Sequence, residues 1–182
     1  MKRYGQLFDQ AFTVDALYAA YLEASKNKRN KRACFEFYRC LGKNLTDLNY
    51  ELYSGTYRPR PYYEFLVREP KPRRIFAPAF RDCVVQHAIY RLILPIFDRA
   101  FIDQSFSCRP GYGTHRAADY AQSALQQSPS GSYTLKLDIR KFFYRIDRLI
   151  LKNLIELKIK DRRFVDIMML FADYGEPIGI PI

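Results

Sequence analysis

An acidic residue at the end of a predicted strand is the feature of this sequence that most clearly suggests chemistry. From residue 133 to Asp138, apolar side chains alternate with polar ones, which is the pattern of a strand with one buried face. A carboxylate at the end of such a strand can hold a divalent cation beside a phosphate. Phe143, five positions further on, could stack against the sugar of a nucleotide. The plainer interpretation is a strand that runs into a solvated loop.

Four further segments accompany the Asp138 segment in a fixed order, and together the five resemble the first half of a prokaryotic reverse transcriptase, from about residue 45 onward. The resemblance is to the branch that holds diversity-generating retroelement enzymes, with group II intron enzymes further off. Intron enzymes usually have Pro-Gln-Gly near the point where this chain has Gly-Ile-Pro-Ile. The four segments are Glu-Pro-Lys-Pro-Arg-Arg-Ile-Phe-Ala-Pro at 69–78, Arg-Asp-Cys-Val-Val-Gln-His-Ala-Ile at 81–89, Gln-Ser-Phe-Ser-Cys-Arg-Pro-Gly-Tyr-Gly at 104–113, and Gly-Ile-Pro-Ile at 179–182.

This resemblance implies a metal site that the chain holds only in part. It makes Asp138 the first metal carboxylate and the backbone carbonyl of Ile139 a further ligand, for Mg²⁺ or alternatively Mn²⁺. Enzymes of this family complete the site with a Tyr-x-Asp-Asp turn, and no Asp-Asp dipeptide occurs in the 182 residues. The chain is therefore expected to be a fingers and partial-palm fragment that does not polymerise alone. Asp147 is expected to cap a helix instead of binding metal.

Cations in a predicted hairpin are assigned by the same resemblance to the phosphates of the nucleotide. Lys71 and Arg73 match the family positions, with Arg74 as the substitute if the tip is shifted by one residue. Arginine suits this role because its planar fork binds phosphate oxygens bidentately. Phe143 matches the position that reads the sugar, where a ring leaves no room for a ribose 2′-hydroxyl. The plainer alternatives are an exposed basic tip and core packing, and one of Phe142 and Phe143 is expected to be core.

The charge of the chain indicates a polyanionic partner. A net charge of +11 is large for 182 residues. Arg109, in an Arg-Pro-Gly turn that matches a family block near the template, is predicted to contact a template phosphate or base. The basic segment 26–32 is either a solvated loop or a phosphate-binding surface. Its candidate nucleic-acid-binding residues are Lys28, Arg29, Lys31 and Arg32.

Composition excludes several other classes of protein. No apolar run approaches the ~20 residues of a membrane span, and the start of the chain has no signal-peptide pattern, which predicts a bacterial cytoplasmic protein without a membrane partner. The four cysteines are widely spaced and form no Cys-x-x-Cys pair, which favours neither a zinc site nor a disulfide framework. Neither of the two histidines has the partners needed for nucleophilic or general-base catalysis.

Hydrophobic periodicity predicts an α+β fold of helices around a fingers β-hairpin over 62–79 and a short antiparallel palm sheet. Thr13 or Asp15, Thr114 and Asp147 are candidate helix caps, and Pro95 should kink or end its helix. The predicted division is an N-terminal helical region (1–60), fingers (61–130) and the start of a right-hand polymerase palm (131–182). Helices are predicted over 12–25, 33–53, 82–97, 115–126, 148–158 and 162–172.

The predicted function is RNA-directed DNA synthesis by a parent protein, with an RNA template, a DNA primer and deoxynucleoside triphosphates as partners. The alternatives are a group II intron maturase-type enzyme, an antiphage-defence reverse transcriptase, and a non-catalytic nucleic-acid-binding module. An accessory protein or intron RNA would be a further partner, and a homodimer could form through apolar surface that a missing half would cover. A continuation beyond Ile182 through Gly-Asn-x-x-Ser-Gln to Tyr-x-Asp-Asp would select the polymerase over the binding module.

Overall fold

The structure is a computed structural model that describes residues 3–68 and 72–173. The chain divides into two compact units, one of Met1–Ile93 with Lys141–Ile182 and the other of Leu94–Arg140. Helices form most of the described regular structure, and the described strands form a two-stranded antiparallel sheet, which confirms the α+β class. Within the described residues, no helix combines the length and the apolar character needed to cross a bilayer.

The elements follow the order predicted from periodicity, with differences at their ends. The short α1, with buried Leu7, Phe8, Ala11 and Phe12, was not predicted, because six residues hold too few turns to show a period. In chain order the elements are α1 (Leu7–Phe12), α2 (Val14–Ala24), α3 (Arg32–Arg39), α4 (Leu41–Tyr53), β1 (Tyr63–Val67), β2 (Arg73–Ala77), α5 (Phe80–Asp98), α6 (Thr114–Gln127), a 3₁₀ turn (Phe143–Arg145), α7 (Arg148–Glu156) and α8 (Arg162–Ala172).

Side-chain caps begin several of these helices. Thr13 accepts a hydrogen bond from the backbone N–H of the third residue of α2 at 3.2 Å, and Asp147 does the same for α7 at 2.9 Å. Both predicted caps are therefore confirmed. The predicted cap Thr114 is wrong, since Thr114 is the first helical residue of α6 and Gly113 precedes it with φ 125° and no side-chain acceptor.

One predicted helix is also not continuous. The helix predicted over 33–53 is interrupted at Cys40, whose φ of −126° and ψ of 40° separate α3 from α4. The helix that contains Pro95 does not end at the proline, because it continues to Asp98. Proline removes one backbone donor, but apolar residues continue the helical period on both sides of it, so packing along the helix can offset that loss.

The first unit has a core of aromatic and aliphatic side chains from helices distant in sequence. Phe12 is fully buried, and its ring lies 6.0 Å from that of Phe164 in α8. The start of the chain is held by a parallel bridge in which Tyr4 pairs with Ile159, with hydrogen bonds of 2.7 Å on both sides. Burying this apolar surface stabilises the unit, because each large side chain removed from water contributes about 1.5–3 kcal/mol.

The predicted hairpin is confirmed by the pairing of β1 with β2. Tyr63 lies opposite Ala77 and Val67 lies opposite Arg73, so the strands pair along their full length. Every residue of β1 is exposed, as is the start of β2. The connecting residues 69–71 lie outside the described part of the chain.

The predicted strand that ends at Asp138 does not form in the second unit. Residues 132–139 have no strand assignment, and the side chains of Tyr133, Leu135 and Leu137 are 101%, 79% and 81% exposed. A strand exists only when its backbone N–H and C=O groups pair with a neighbour. Among the described residues no other segment pairs with this one, so the alternating pattern has no sheet to join.

A buried carboxylate ties together the two segments that flank the hairpin. Asp82, at the start of α5, is 1% exposed and accepts hydrogen bonds from the hydroxyl of Tyr57 at 2.7 Å and the backbone N–H of Arg60 at 2.8 Å. Burial and the hydrogen bond to Asp82 raise the pKa of Tyr57 well above its usual range, so the phenol stays a donor. Arg81 adds an ion pair with Glu51 and lies 3.6 Å from the Asp82 carboxylate.

Asp82→Ala should reduce the free energy of unfolding by about 3–5 kcal/mol, because it leaves buried donors without an acceptor. Urea denaturation followed by circular dichroism measures this loss. Asp47→Ala is the matched control, since Asp47 is exposed on α4 and should cost less than about 0.5 kcal/mol. Equal losses for the two variants would show that the buried carboxylate is not a principal support of the fold.

Candidate nucleotide site

A cavity in the first unit is lined by the start of β2 and by the turn that precedes α7. Arg73 and Arg74 line the cavity from the start of β2, which follows Pro72 directly. The segment before α7 contains a single 3₁₀ turn, Phe143–Arg145. Asp147 lies between this turn and α7 and caps the helix. The cavity is lined by Pro72, Arg73, Arg74, Ile75, Lys141, Phe143 and Tyr144.

The two arginines of the cavity differ in their partners. Arg74 binds the carboxylate of Glu64 on β1 bidentately, at 2.5 and 3.0 Å, and this hydrogen bonding lowers the pKa of Glu64. Within residues 3–68 and 72–173, no side-chain hydrogen bond or ion pair engages Arg73. The guanidinium of Arg73 is therefore available to a phosphate, whereas that of Arg74 would first have to leave Glu64.

The two phenylalanines lie edge to face, with ring centroids 5.2 Å apart and planes at 72°. Phe142 is 48% exposed and Phe143 is 44% exposed, so the expectation that one of them is core is wrong. The 3₁₀ turn points them in different directions, because Phe143 lines the cavity and Phe142 does not. The ring of Phe143 thus shares the cavity with Arg73.

Lys141 and Tyr144 also line the cavity, and neither is among the binding residues predicted from the sequence. Lys141 adopts a left-handed backbone with φ 54°, which costs a residue with a Cβ roughly 1–2 kcal/mol. Such strain recurs at functional sites, where the surrounding structure maintains it. The only signal in the sequence was the basic pair that precedes Phe142.

Asp138 and Ile139 belong to the second unit and lie in its extended segment, with both residues exposed. No side-chain hydrogen bond or ion pair engages Asp138 in the described part of the chain. A carboxylate and a backbone carbonyl are the hard oxygen donors that Mg²⁺ prefers, so the donor types fit. The described residues contain no cluster of three or more histidine, cysteine or acidic side chains that could hold a metal ion. Their metal role stays a prediction.

Arg109 has a structural role in the second unit. Its side chain is 9% exposed and donates hydrogen bonds to Asp98 at 2.7 Å and to the backbone carbonyls of Ile102 and Ser105 at 3.0 and 2.9 Å. The guanidinium also lies 3.9 Å from the ring centroid of Tyr112. These contacts hold the turn over residues 98–112 together, and the predicted contact of Arg109 with a template stays a prediction.

The other predicted binding residues fall in two places. Lys28, Arg29, Lys31 and Arg32 are exposed in and beside the turn between α2 and α3, where Arg32 pairs with Glu36 at 2.7 Å. Lys71 and the Gly-Ile-Pro-Ile segment at 179–182 lie outside the described residues. The structure therefore brings Arg73, Arg74 and Phe143 to one cavity.

The sequence is similar to known bacterial proteins. It is 28% identical to "Group II intron-encoded protein LtrA" of Lactococcus lactis subsp. cremoris over 127 residues, which cover 68% of this chain and 21% of that protein. It is 27% identical to "Protein YkfC" of Escherichia coli strain K12 over 132 residues, which cover 70% of this chain and 35% of that protein. No protein-family model matches.

The chain thus spans about a fifth and about a third of the lengths of these two curated relatives. The similarity to a group II intron-encoded protein confirms the resemblance, drawn from the motifs, to prokaryotic reverse transcriptases of the diversity-generating retroelement or group II intron-like kind. The preference for the diversity-generating branch stays a prediction.

Lys141→Gly should be more stable than Lys141→Ala by about 1 kcal/mol, because only glycine adopts a left-handed backbone without a Cβ penalty. Urea denaturation of the two variants measures the difference. Arg145, in the 3₁₀ turn, is the control, and there the order should reverse, with alanine the more stable. Equal stability of the two Lys141 variants would contradict the left-handed conformation.

Proposed function

We propose that this chain supplies the fingers and the first palm segment of an RNA-directed DNA polymerase, within a longer parent protein. The observation that carries the proposal is the cavity in which Arg73, Lys141 and Phe143 meet, from segments far apart in the sequence. The motif resemblance independently assigns Arg73 and Phe143 to one nucleotide. The similarity to a group II intron-encoded protein supports the same class.

The cavity has the chemistry that a deoxynucleoside triphosphate requires. The fork of Arg73, which has no partner within the described residues, can bind two phosphate oxygens, and Lys141 adds a point charge from the turn that precedes α7. The half-exposed ring of Phe143 offers an apolar face to a deoxyribose and would clash with a 2′-hydroxyl. Phosphoryl transfer depends mainly on positioning and charge stabilisation, which cations and a fixed ring supply.

An RNA template and a DNA primer are the macromolecular partners that we propose, and the net charge of +11 supports binding to their phosphates. An accessory protein or intron RNA would add to these in a retroelement. The alternative of a non-catalytic nucleic-acid-binding module differs in one respect, because it would bind RNA without binding nucleotides.

The experiment that tests the proposal is equilibrium binding of a labelled deoxynucleoside triphosphate to the chain, compared between Arg73→Ala and Arg74→Ala. Arg73→Ala should weaken nucleotide binding roughly 10- to 100-fold, because it removes a charge-assisted hydrogen bond worth about 1.5–3 kcal/mol. Arg74→Ala removes the same charge, but the guanidinium of Arg74 is already bound to Glu64. Its loss should therefore weaken nucleotide binding by less than about 3-fold. The pair is matched in charge and in position along β2.

Three results are informative in this comparison. A larger effect of Arg74→Ala would mean that the family positions are shifted by one residue. RNA binding by the wild-type chain without nucleotide binding would favour the non-catalytic module. Equal effects of the two variants would show that only net charge matters and that the cavity is not the nucleotide site.

Asp138 is proposed to hold Mg²⁺ together with the backbone carbonyl of Ile139. When bound, the ion activates the primer 3′-hydroxyl and neutralises phosphate charge. In the parent protein, Asp138→Ala should abolish primer extension and leave template binding within about 2-fold, because the exposed carboxylate supports no packing. Asp147→Ala is the control, since it loses a helix cap worth about 1 kcal/mol without abolishing synthesis. Wild-type turnover of Asp138→Ala would remove Asp138 from the site.

Phe143→Ala in the parent protein should narrow the preference for deoxyribonucleotides over ribonucleotides by about 10-fold or more, because it removes a steric wall. The measurement is the ratio of kcat/KM values for the two nucleotide types. Phe142→Ala is the matched control, since Phe142 is equally exposed and does not line the cavity. Its truncation should leave the ratio unchanged and should cost less than the ~3–5 kcal/mol of a core phenylalanine. A changed ratio for Phe142→Ala alone would transfer the role to that residue.

A further inference from the structure

A second pocket of the first unit is lined by exposed aromatic side chains and shares no lining residue with the nucleotide cavity. Tyr18 and Leu22 reach it from α2, and Phe35 and Tyr38 reach it from α3. These side chains are 46%, 43%, 56% and 59% exposed. Large aromatic side chains are normally buried. A cluster of exposed ones around a pocket therefore indicates a binding surface.

The rings of this pocket are already arranged for stacking. The ring of Tyr18 is stacked on that of Tyr21 at 6.3 Å and 28°, and Tyr21 is stacked on Phe37 at 5.9 Å and 22°. Tyr21 and Phe37 are buried, which leaves Tyr18 as the exposed end of a row of nearly parallel rings. A flat aromatic ligand would therefore extend a stack that the protein has built.

The charge around the pocket is positive. Arg29 lines it and also lines a neighbouring shallow pocket together with Lys26. Two acidic side chains of these helices are paired with arginines, since Glu23 pairs with Arg91 at 2.6 Å and Glu36 pairs with Arg32 at 2.7 Å. A ligand that combines a flat apolar face with negative charge fits these surroundings.

We propose that this aromatic pocket takes an unstacked base of single-stranded RNA, while the cations of residues 26–31 bind the adjoining phosphates. The inference rests on the proposed function, to which it adds a preference for unpaired RNA. Bases in a duplex have their faces covered by neighbours, whereas a single-stranded base can leave the stack and lie against a side-chain ring. Arg29 would serve both parts, because it touches the pocket and belongs to the basic turn.

The test compares two ligands of about 12 nucleotides, a size within the range of single-strand sites. Fluorescein-labelled single-stranded RNA of mixed sequence and the same strand in a perfect RNA duplex are titrated with the chain, and anisotropy reports binding. Phe35→Ala and Tyr38→Ala should each weaken single-strand binding by about 5- to 100-fold. Duplex binding should change by less than about 2-fold, because phosphate contacts alone support it.

Matched variants separate stacking from charge and from misfolding. Tyr50→Ala removes an exposed tyrosine of α4, 70% exposed and outside the pocket, and should change neither affinity. Tyr38→Phe keeps the ring and should keep the affinity. Arg29→Ala should lower the slope of log affinity against log salt by about 0.7 for the single strand, whereas the aromatic variants should leave that slope unchanged. Circular dichroism checks that each variant is folded.

The remaining outcomes would contradict the inference, and each would contradict a different part of it. If Phe35→Ala and Tyr38→Ala weaken binding to the single strand and to the duplex equally, or weaken neither, the pocket does not hold an RNA base. General binding to nucleic acid would not be contradicted by that result. Failure of the wild-type chain to bind either RNA would remove both the pocket and the proposed RNA partner. Because nucleotide binding is tested separately at Arg73, loss of the pocket does not decide the polymerase proposal.

Discussion

The buried carboxylate of Asp82 is the constraint on which the placement of the candidate site depends. It binds the hydroxyl of Tyr57 and the backbone N–H of Arg60, both on the segment that leads into β1, while Asp82 itself lies at the start of the helix that follows β2. One charged group thus fixes the two ends of a hairpin whose own strands are mostly exposed. A hairpin alone is marginally stable in water, so its position relative to the rest of the unit depends on these end contacts.

The groups that line the candidate nucleotide cavity contribute little to folding, and some oppose it. Lys141 holds a left-handed backbone, Phe143 leaves nearly half of its surface in water, and the described residues give the guanidinium of Arg73 no anionic partner. The core of the first unit, around Phe12 and Phe164, has to offset these costs. Strain and exposed apolar surface gathered at one cavity are typical of a site arranged for a ligand.

Similar residue types take different roles according to their neighbours. Arg74 is engaged by Glu64, Arg81 by Glu51, and Arg109 by Asp98 and backbone carbonyls, so each supports the fold. Arg73 and Arg29 have no such engagement within the described chain, and both line pockets. A positive charge of +11 indicates a polyanionic partner, but it is the distribution of acidic partners that leaves particular cations available.

Short-range features of this protein were determined by its sequence: the helical periods, the caps Thr13 and Asp147, the hairpin and the motif order that indicates a reverse transcriptase. The helical periods and the caps depend on residues within a few positions of one another, and the hairpin pairs segments that are neighbours in the sequence. Tertiary structure decided the rest. It paired Arg74 with Glu64, brought Lys141 into the cavity and left both Phe142 and Phe143 exposed. It also left residues 132–139 without a strand partner among the described residues. Strand pairing, ion-pair choice and burial all depend on groups far away in the sequence, which local patterns do not identify.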